Sequence, residues 1–118
     1  MQTSQIQDVD AAAFETEVLR AAAPVLVEFS ADWCPPCHMM EPVLAGLATA
    51  LAGRLTVRRL DVDRDQEISI RYGVLGMPTL ILFAGGEPLD RLVGFSGAGH
   101  VRQWVAGALD CAGRARRR

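Results

Sequence analysis

V-L-V-E-F-S-A-D-W-C-P-P-C-H, residues 25–38, is the stretch on which the fold turns. Its first six residues are β-branched and almost wholly apolar, the composition of a strand buried on both faces. Two cysteines, Cys34 and Cys37, follow where that strand ends and a helix begins. In open α/β sheets, functional groups gather just beyond the carboxyl ends of the strands. Cys34 falls at the helix N-terminus, where unpaired N–H groups and the positive end of the helix dipole stabilise an anion. That setting lowers a cysteine pKa below its ordinary value of about 8.5. Cys37 lies one helical turn on, so its sulfur can approach that of Cys34. Pro35 and Pro36 suit the first helical turn, whose N–H groups lack intrahelical partners, and they stiffen the ring that a disulfide would close.

A C-x-x-C pair serves metal, haem or redox chemistry. A structural zinc site wants four ligands, usually as two pairs. Beyond Cys34, Cys37 and His38 the chain offers only His100 and Cys111, at spacings that form no second pair. C-P-P-C-H also fits the C-x-x-C-H haem pattern, but haem attachment needs export and a flexible motif, and no signal peptide is read in M-Q-T-S-Q-I-Q-D-V-D. Redox chemistry is therefore the expectation. Glu28 supports it, because a carboxylate inside V-L-V-E-F is costly to bury. Desolvation raises its pKa, which suits a proton relay for Cys37. The competing reading is a Glu facing solvent at a sheet edge.

Working outward, Q-I-Q-D-V (5–9) reads as a first strand, and Asp10 as the cap of a helix that runs to Arg20. Met39, Val43, Leu47 and Leu51 recur at intervals of four, so a long amphipathic helix follows the cysteines, with a kink expected at Pro42 and an end at Gly53. Strands are predicted over 55–62, 79–83 and 89–95, the last two joined by the tight turn A-G-G-E. A short helix is expected over 65–73, and a last one capped by Ser96, with Trp104 in the core and Cys111 beyond its end. The alternation of strands and helices makes an α/β fold, and the terminal hairpin makes its sheet mixed.

The chain has 118 residues, which suits one domain, and half are hydrophobic, enough for a core without a disulfide framework. Its formal charge is −2, unevenly placed. Lysine is absent, and without the four terminal arginines (Arg114, Arg116, Arg117, Arg118) the body carries 8 basic residues against 14 acids. Four charges give little affinity for nucleic acid or anionic lipid at physiological salt, so neither is expected as a partner. Apolar runs such as T-L-I-L-F-A are too short to span a bilayer, and a soluble cytoplasmic protein is the expectation.

Beyond this reading of the residues, the chain resembles the thioredoxin family over nearly all its length. The resemblance rests on V-L-V-E-F-S-A-D-W-C-P-P-C, on V-L-G-M-P-T-L-I-L-F, and on G-G-E with L-V-G-F-S, in that order and spacing. It implies a thioredoxin fold over residues 1–113, a central mixed sheet of about five strands flanked by four helices, with 114–118 as a disordered basic tail. It implies a monomeric thiol–disulfide oxidoreductase that reduces protein disulfides, needs no cofactor of its own and is recharged by a flavin- and NADPH-dependent reductase. Cys34 would be the exposed nucleophile, Cys37 the resolving cysteine, and Pro78 a cis-proline opposite them. Met77 would offer backbone groups to an extended substrate segment. Trp33, Gly76, Gly94 and Phe95 would line the docking groove. The family usually has an Asp where Glu28 stands, often a lysine at Arg59, G-P where Pro35 and Pro36 stand, and in many members an aromatic at Ser30. Arg59 could pair with Glu28. The rival readings are an oxidant or isomerase on the same fold, and a non-enzymatic client-binding module.

Overall fold

In the computed structural model, which describes residues 6–116, the chain begins with a short strand, β1 (Gln7–Asp8). The expected strand started at residue 5, which lies outside the described residues. Helix α1 (Ala11–Phe14) starts where expected: the carboxylate of Asp10 accepts from the Ala13 N–H at 2.9 Å. Its continuation, Glu15–Leu19, is one π-helical turn closed by Arg20 N–H donating to Glu15 O at 2.9 Å. An apolar stripe alone does not distinguish that wider turn from an α-helical one.

Strand β2 (Val25–Ser30) is buried at every residue. Helix α2 (Pro35–Ala50) runs unbroken through Pro42. Strand β3 (Thr56–Asp61), helix α3 (Gln66–Arg71) and the hairpin of β4 (Thr79–Ala84) and β5 (Glu87–Val93) follow. The sheet order is β1-β3-β2-β4-β5; β3 is parallel to β1 and β2, whereas β4 is antiparallel to β2 and β5. The mixed five-stranded sheet flanked by helices is as expected.

Alternation along β2 divides the core. Val25, Val27 and Phe29 face a cluster with Phe14, Val18, Ile68 and Phe83. There Phe83 meets the rings of Phe14 and Tyr72 edge-on, at 5.5 and 5.1 Å between centroids. Leu26 faces the opposite cluster, with Met40 and Leu44 of α2, Leu80 and Leu82 of β4, and Val101 and Val105 of the last helix, α4 (Ala98–Arg116). Glu28 and Ser30 are in phase with Leu26, so they lie on the face that α2 and α4 cover.

The hairpin turns on Gly85 and Gly86, at φ 61° and 83°. Two positive φ values in a two-residue loop give the turn whose twist matches the strands. A Cβ on Gly86 would also come within 3.3 Å of the Leu19 carbonyl oxygen. Gly86→Ala is therefore expected to lower stability by about 1–2 kcal/mol, read from the urea midpoint at unchanged slope.

Several boundaries differ from expectation, among them the end of α2, which comes at Ala50 rather than Gly53. Strand β5 ends at Val93, so Gly94 (φ 85°) and Phe95 lie beyond it. Helix α4 begins at Ala98, with Gly97 rather than Ser96 ahead of it; the Gly97 carbonyl accepts from Val101 N–H at 3.3 Å. A glycine at φ 105° turns the chain there more cheaply than a capping serine would. Helix α4 also extends past the expected limit at 113. Cys111 lies inside it, exposed, and Arg114 pairs with Asp110 one turn earlier at 2.8 Å, which sustains the last turns. Trp104 is half-buried against the second cluster.

Candidate active site

Strand β2 delivers the chain to the site, and the turn Ala31–Trp33 lifts it into α2. The Cys34 N–H donates to Ala31 O at 3.2 Å, and Cys34 occupies the N-cap position in extended geometry. Its Sγ accepts from the Cys37 N–H at 3.3 Å. Pro35 and Pro36 have no N–H to offer. The Cys37 amide is thus the one donor in residues 35–37 for a charge on Cys34, reinforced by the dipole of a 16-residue helix. Cys34 and Cys37 are joined in a disulfide. Cys37 is fully buried and Cys34 is only 3 % exposed. The expectation of an exposed Cys34 is corrected to a cysteine with a narrow opening, because its sulfur folds back on the helix end.

The peptide Met77–Pro78 is cis. Phe29 faces Thr79 across β2 and β4, so one further step of register sets Pro78 opposite Ser30, where β2 delivers the cysteine loop. Met77 packs against the cluster that contains both cysteines. The Gly94 N–H donates to Pro78 O at 2.8 Å, and the Thr79 hydroxyl donates to Gly76 O at 2.6 Å, which fixes the segment at both ends. Trp33 is 64 % exposed, and its indole N–H donates to Asp63 Oδ2 at 2.7 Å, so the ring stands out from the surface without being loose. Phe95 is half-buried against the α2–α4 cluster.

Beneath this surface Glu28 is fully buried, and neither carboxylate oxygen has a hydrogen-bond partner among the described residues. Burial pushes its pKa from 4.5 up to about 8; the negative charge of Glu41 adds to the rise and the positive charge of Arg59 opposes it. The solvent-facing reading of Glu28 is thereby excluded. Arg59 is the register partner of Glu28 on β3, yet it does not pair with it. Its guanidinium donates to Asp32 Oδ1 at 2.9 Å and forms ion pairs with Glu41 Oε2 at 3.0 Å and Asp8 Oδ1 at 3.8 Å. Three acids nearer the surface compete for one cation, and each can be paired with less desolvation than Glu28.

A thioredoxin family model matches residues 5–107 of the chain. Thioredoxin of Mycobacterium tuberculosis (strain ATCC 25618 / H37Rv) is 50 % identical over 86 residues, covering 73 % of this chain and 74 % of that protein. Thioredoxin of Alicyclobacillus acidocaldarius is 41 % identical over 93 residues, covering 79 % and 89 %. A bifunctional thioredoxin reductase/thioredoxin of Mycobacterium leprae is 46 % identical over 90 residues, covering 76 % of this chain and 20 % of that protein. The chain belongs to the thioredoxin family.

It is a thiol–disulfide oxidoreductase with the family's C-x-x-C pair at Cys34 and Cys37. Its departures from the usual thioredoxin pattern take definite forms. Ser30 is buried, its hydroxyl unpartnered among the described residues, in the place where many members carry an aromatic. His38 is exposed, with Nε2 donating to Asp32 O at 2.7 Å. Sequence reasoning missed two groups of neighbours. Leu75 and Val93, 96 % and 60 % exposed, are large apolar side chains left on the surface beside Gly76 and Gly94. A periodicity search assigns such residues to a core by default. Asp63, which holds Trp33, and Glu41, which holds Arg59, stand in no motif or spacing that singles them out in the sequence.

Proposed function

We propose that this protein reduces disulfides of other proteins, with Cys34 as nucleophile and Cys37 as resolving group. The observation that carries the reading is the Cys34–Cys37 pair at the N-terminus of α2, above a buried, unpaired acid. In the dithiol form, the Cys34 thiolate attacks one sulfur of a substrate disulfide. An S–S bond forms between Cys34 and the substrate, and the other substrate sulfur leaves as a thiolate that takes up a proton from water. Cys37 then gives its proton to the Glu28 carboxylate and attacks Cys34 Sγ. The mixed disulfide breaks, the second substrate thiol is released, and the two electrons now missing from the protein reside in the substrate.

A base with a pKa near the working pH is suited to that transfer, and Glu28 at about 8 meets the requirement. Pro35 and Pro36 keep the ring stiff, and cis-Pro78 closes the site from the β4 side. Trp33, Gly76, Met77, Gly94 and Phe95, joined by Leu75 and Val93, form the docking groove, where an extended apolar segment pairs with the backbone at Met77. A flavin- and NADPH-dependent reductase returns the dithiol; the relative that joins a thioredoxin reductase to a thioredoxin supports this pairing. No helix among the described residues is long and apolar enough to cross a membrane, and the proposed setting is the cytoplasm, as a monomer with no cofactor of its own.

Cys37→Ser tests the order of the two cysteines. With insulin as substrate it should accumulate a covalent adduct through Cys34, visible on a non-reducing gel and by mass and released by dithiothreitol. If no adduct forms, or if it forms through Cys111, the assignment fails.

A further inference from the structure

Arg59 and Glu28 sit side by side in register, and yet the guanidinium turns to other acids. Of its three partners, Asp32 and Asp8 have side chains 82 % and 59 % exposed. The hydrogen bond to Asp32 holds one guanidinium nitrogen at the surface, but pairs with such freely solvated groups contribute little, so Asp32 and Asp8 supply only part of the pull. Glu41 differs from them. Its side chain is 29 % exposed, its Oε2 is buried, and it lies on α2 one turn beyond Cys37, the helix that covers the Glu28 face.

We propose that Glu41 is a positioning residue for the buried acid: from α2 it draws the Arg59 guanidinium outward, away from its register partner Glu28, and leaves that acid without its cation. The inference deepens the relay reading of Glu28, on which its functional meaning rests.

The other groups around Glu28 leave this role to Glu41. On β3, Asp61 accepts from the Asp63 and Arg64 N–H groups and is committed to the loop. On β4, the register partner is Leu80, which carries no charge. The residues of α4 packed on this face, Val101 and Val105, are apolar. On α2, Cys37 is held in the disulfide and does not titrate in the oxidised protein. Asp32 is bound to Arg59 at the surface. Among the described residues, Glu41 is the carboxylate whose charge acts on Glu28, and Arg59 opposes it.

The experiment is a pH titration of the Glu28 carboxyl 13C signal in oxidised protein, with Glu41→Gln beside the parent. Neutralising Glu41 removes a like charge and releases Arg59 toward Glu28, two changes of the same sign. The Glu28 midpoint should fall by about one pH unit. A purely structural role for Glu41 would alter the melting temperature and leave the midpoint in place. An unchanged or raised midpoint overturns the proposal. The relay reading is judged separately, by the rate at which Glu28→Gln resolves a mixed disulfide. A parental rate there removes the relay and leaves the effect of Glu41 on Glu28 standing.

Discussion

Cys34→Ser is expected to reduce insulin disulfides no faster than dithiothreitol alone, whereas Cys111→Ser keeps the full turnover of the parent. The loss is complete rather than partial because a serine oxygen cannot form the S–S bond of the mixed disulfide, and no other sulfur is placed to take its part. Cys37 is fully buried and has no access to a substrate. Cys111 is exposed on α4, but the group near it is Arg114, at 3.7 Å, and the N-terminus of α4 lies more than three turns away. Cys34 alone has a helix N-terminus, an amide donor at 3.3 Å and a partner cysteine at its sulfur. The measurement is insulin turbidity with dithiothreitol as electron source. Residual turnover in Cys34→Ser would move the nucleophile elsewhere.

Glu28→Gln is expected to make the oxidised protein more stable than the parent at pH 8, by an amount that shrinks toward pH 5. The folded protein holds the Glu28 proton up to a pKa of about 8, while the unfolded chain releases it near 4.5. Between those values the folded state binds one more proton than the unfolded state. The parent therefore loses stability as pH rises, at up to about 1.4 kcal/mol per pH unit. The proton's contribution is fully present below the unfolded pKa and is gone once pH has risen through the folded one. Over the whole window the loss is roughly 3–5 kcal/mol, a large share of the stability of a domain this size. Glutamine does not titrate, so its own burial cost is constant with pH and the two profiles diverge. Urea unfolding of both oxidised proteins at pH 5, 6, 7 and 8 checks this. Parallel profiles would mean that Glu28 is ionised in the fold without penalty, and the relay would lose its physical basis.

The costs and the chemistry of this protein were unequally legible in its sequence. Strand β2, the start of α2 and the hairpin at Gly85 and Gly86 were all readable, because a buried apolar run, a cap position and a two-glycine turn act over a few residues. The burial of Glu28 was half-readable: its neighbours in V-L-V-E-F favour it, but a solvent-facing Glu at a sheet edge fits the same pattern until β3 and β4 close on both sides of β2. The cis peptide before Pro78 followed from family resemblance, not from any local signal, since X-Pro bonds in folded proteins are mostly trans. The partners of Arg59 were not readable at all. The family resemblance suggested a pair with Glu28, but the guanidinium had a choice of four acids brought together by β1, β2, α2 and the loop before the cysteines. A strand or a turn is decided by chain neighbours, whose spacing the sequence states. A long charged side chain is decided by which partners can be reached with the least desolvation, and that cost exists only once helix and sheet have closed over the site.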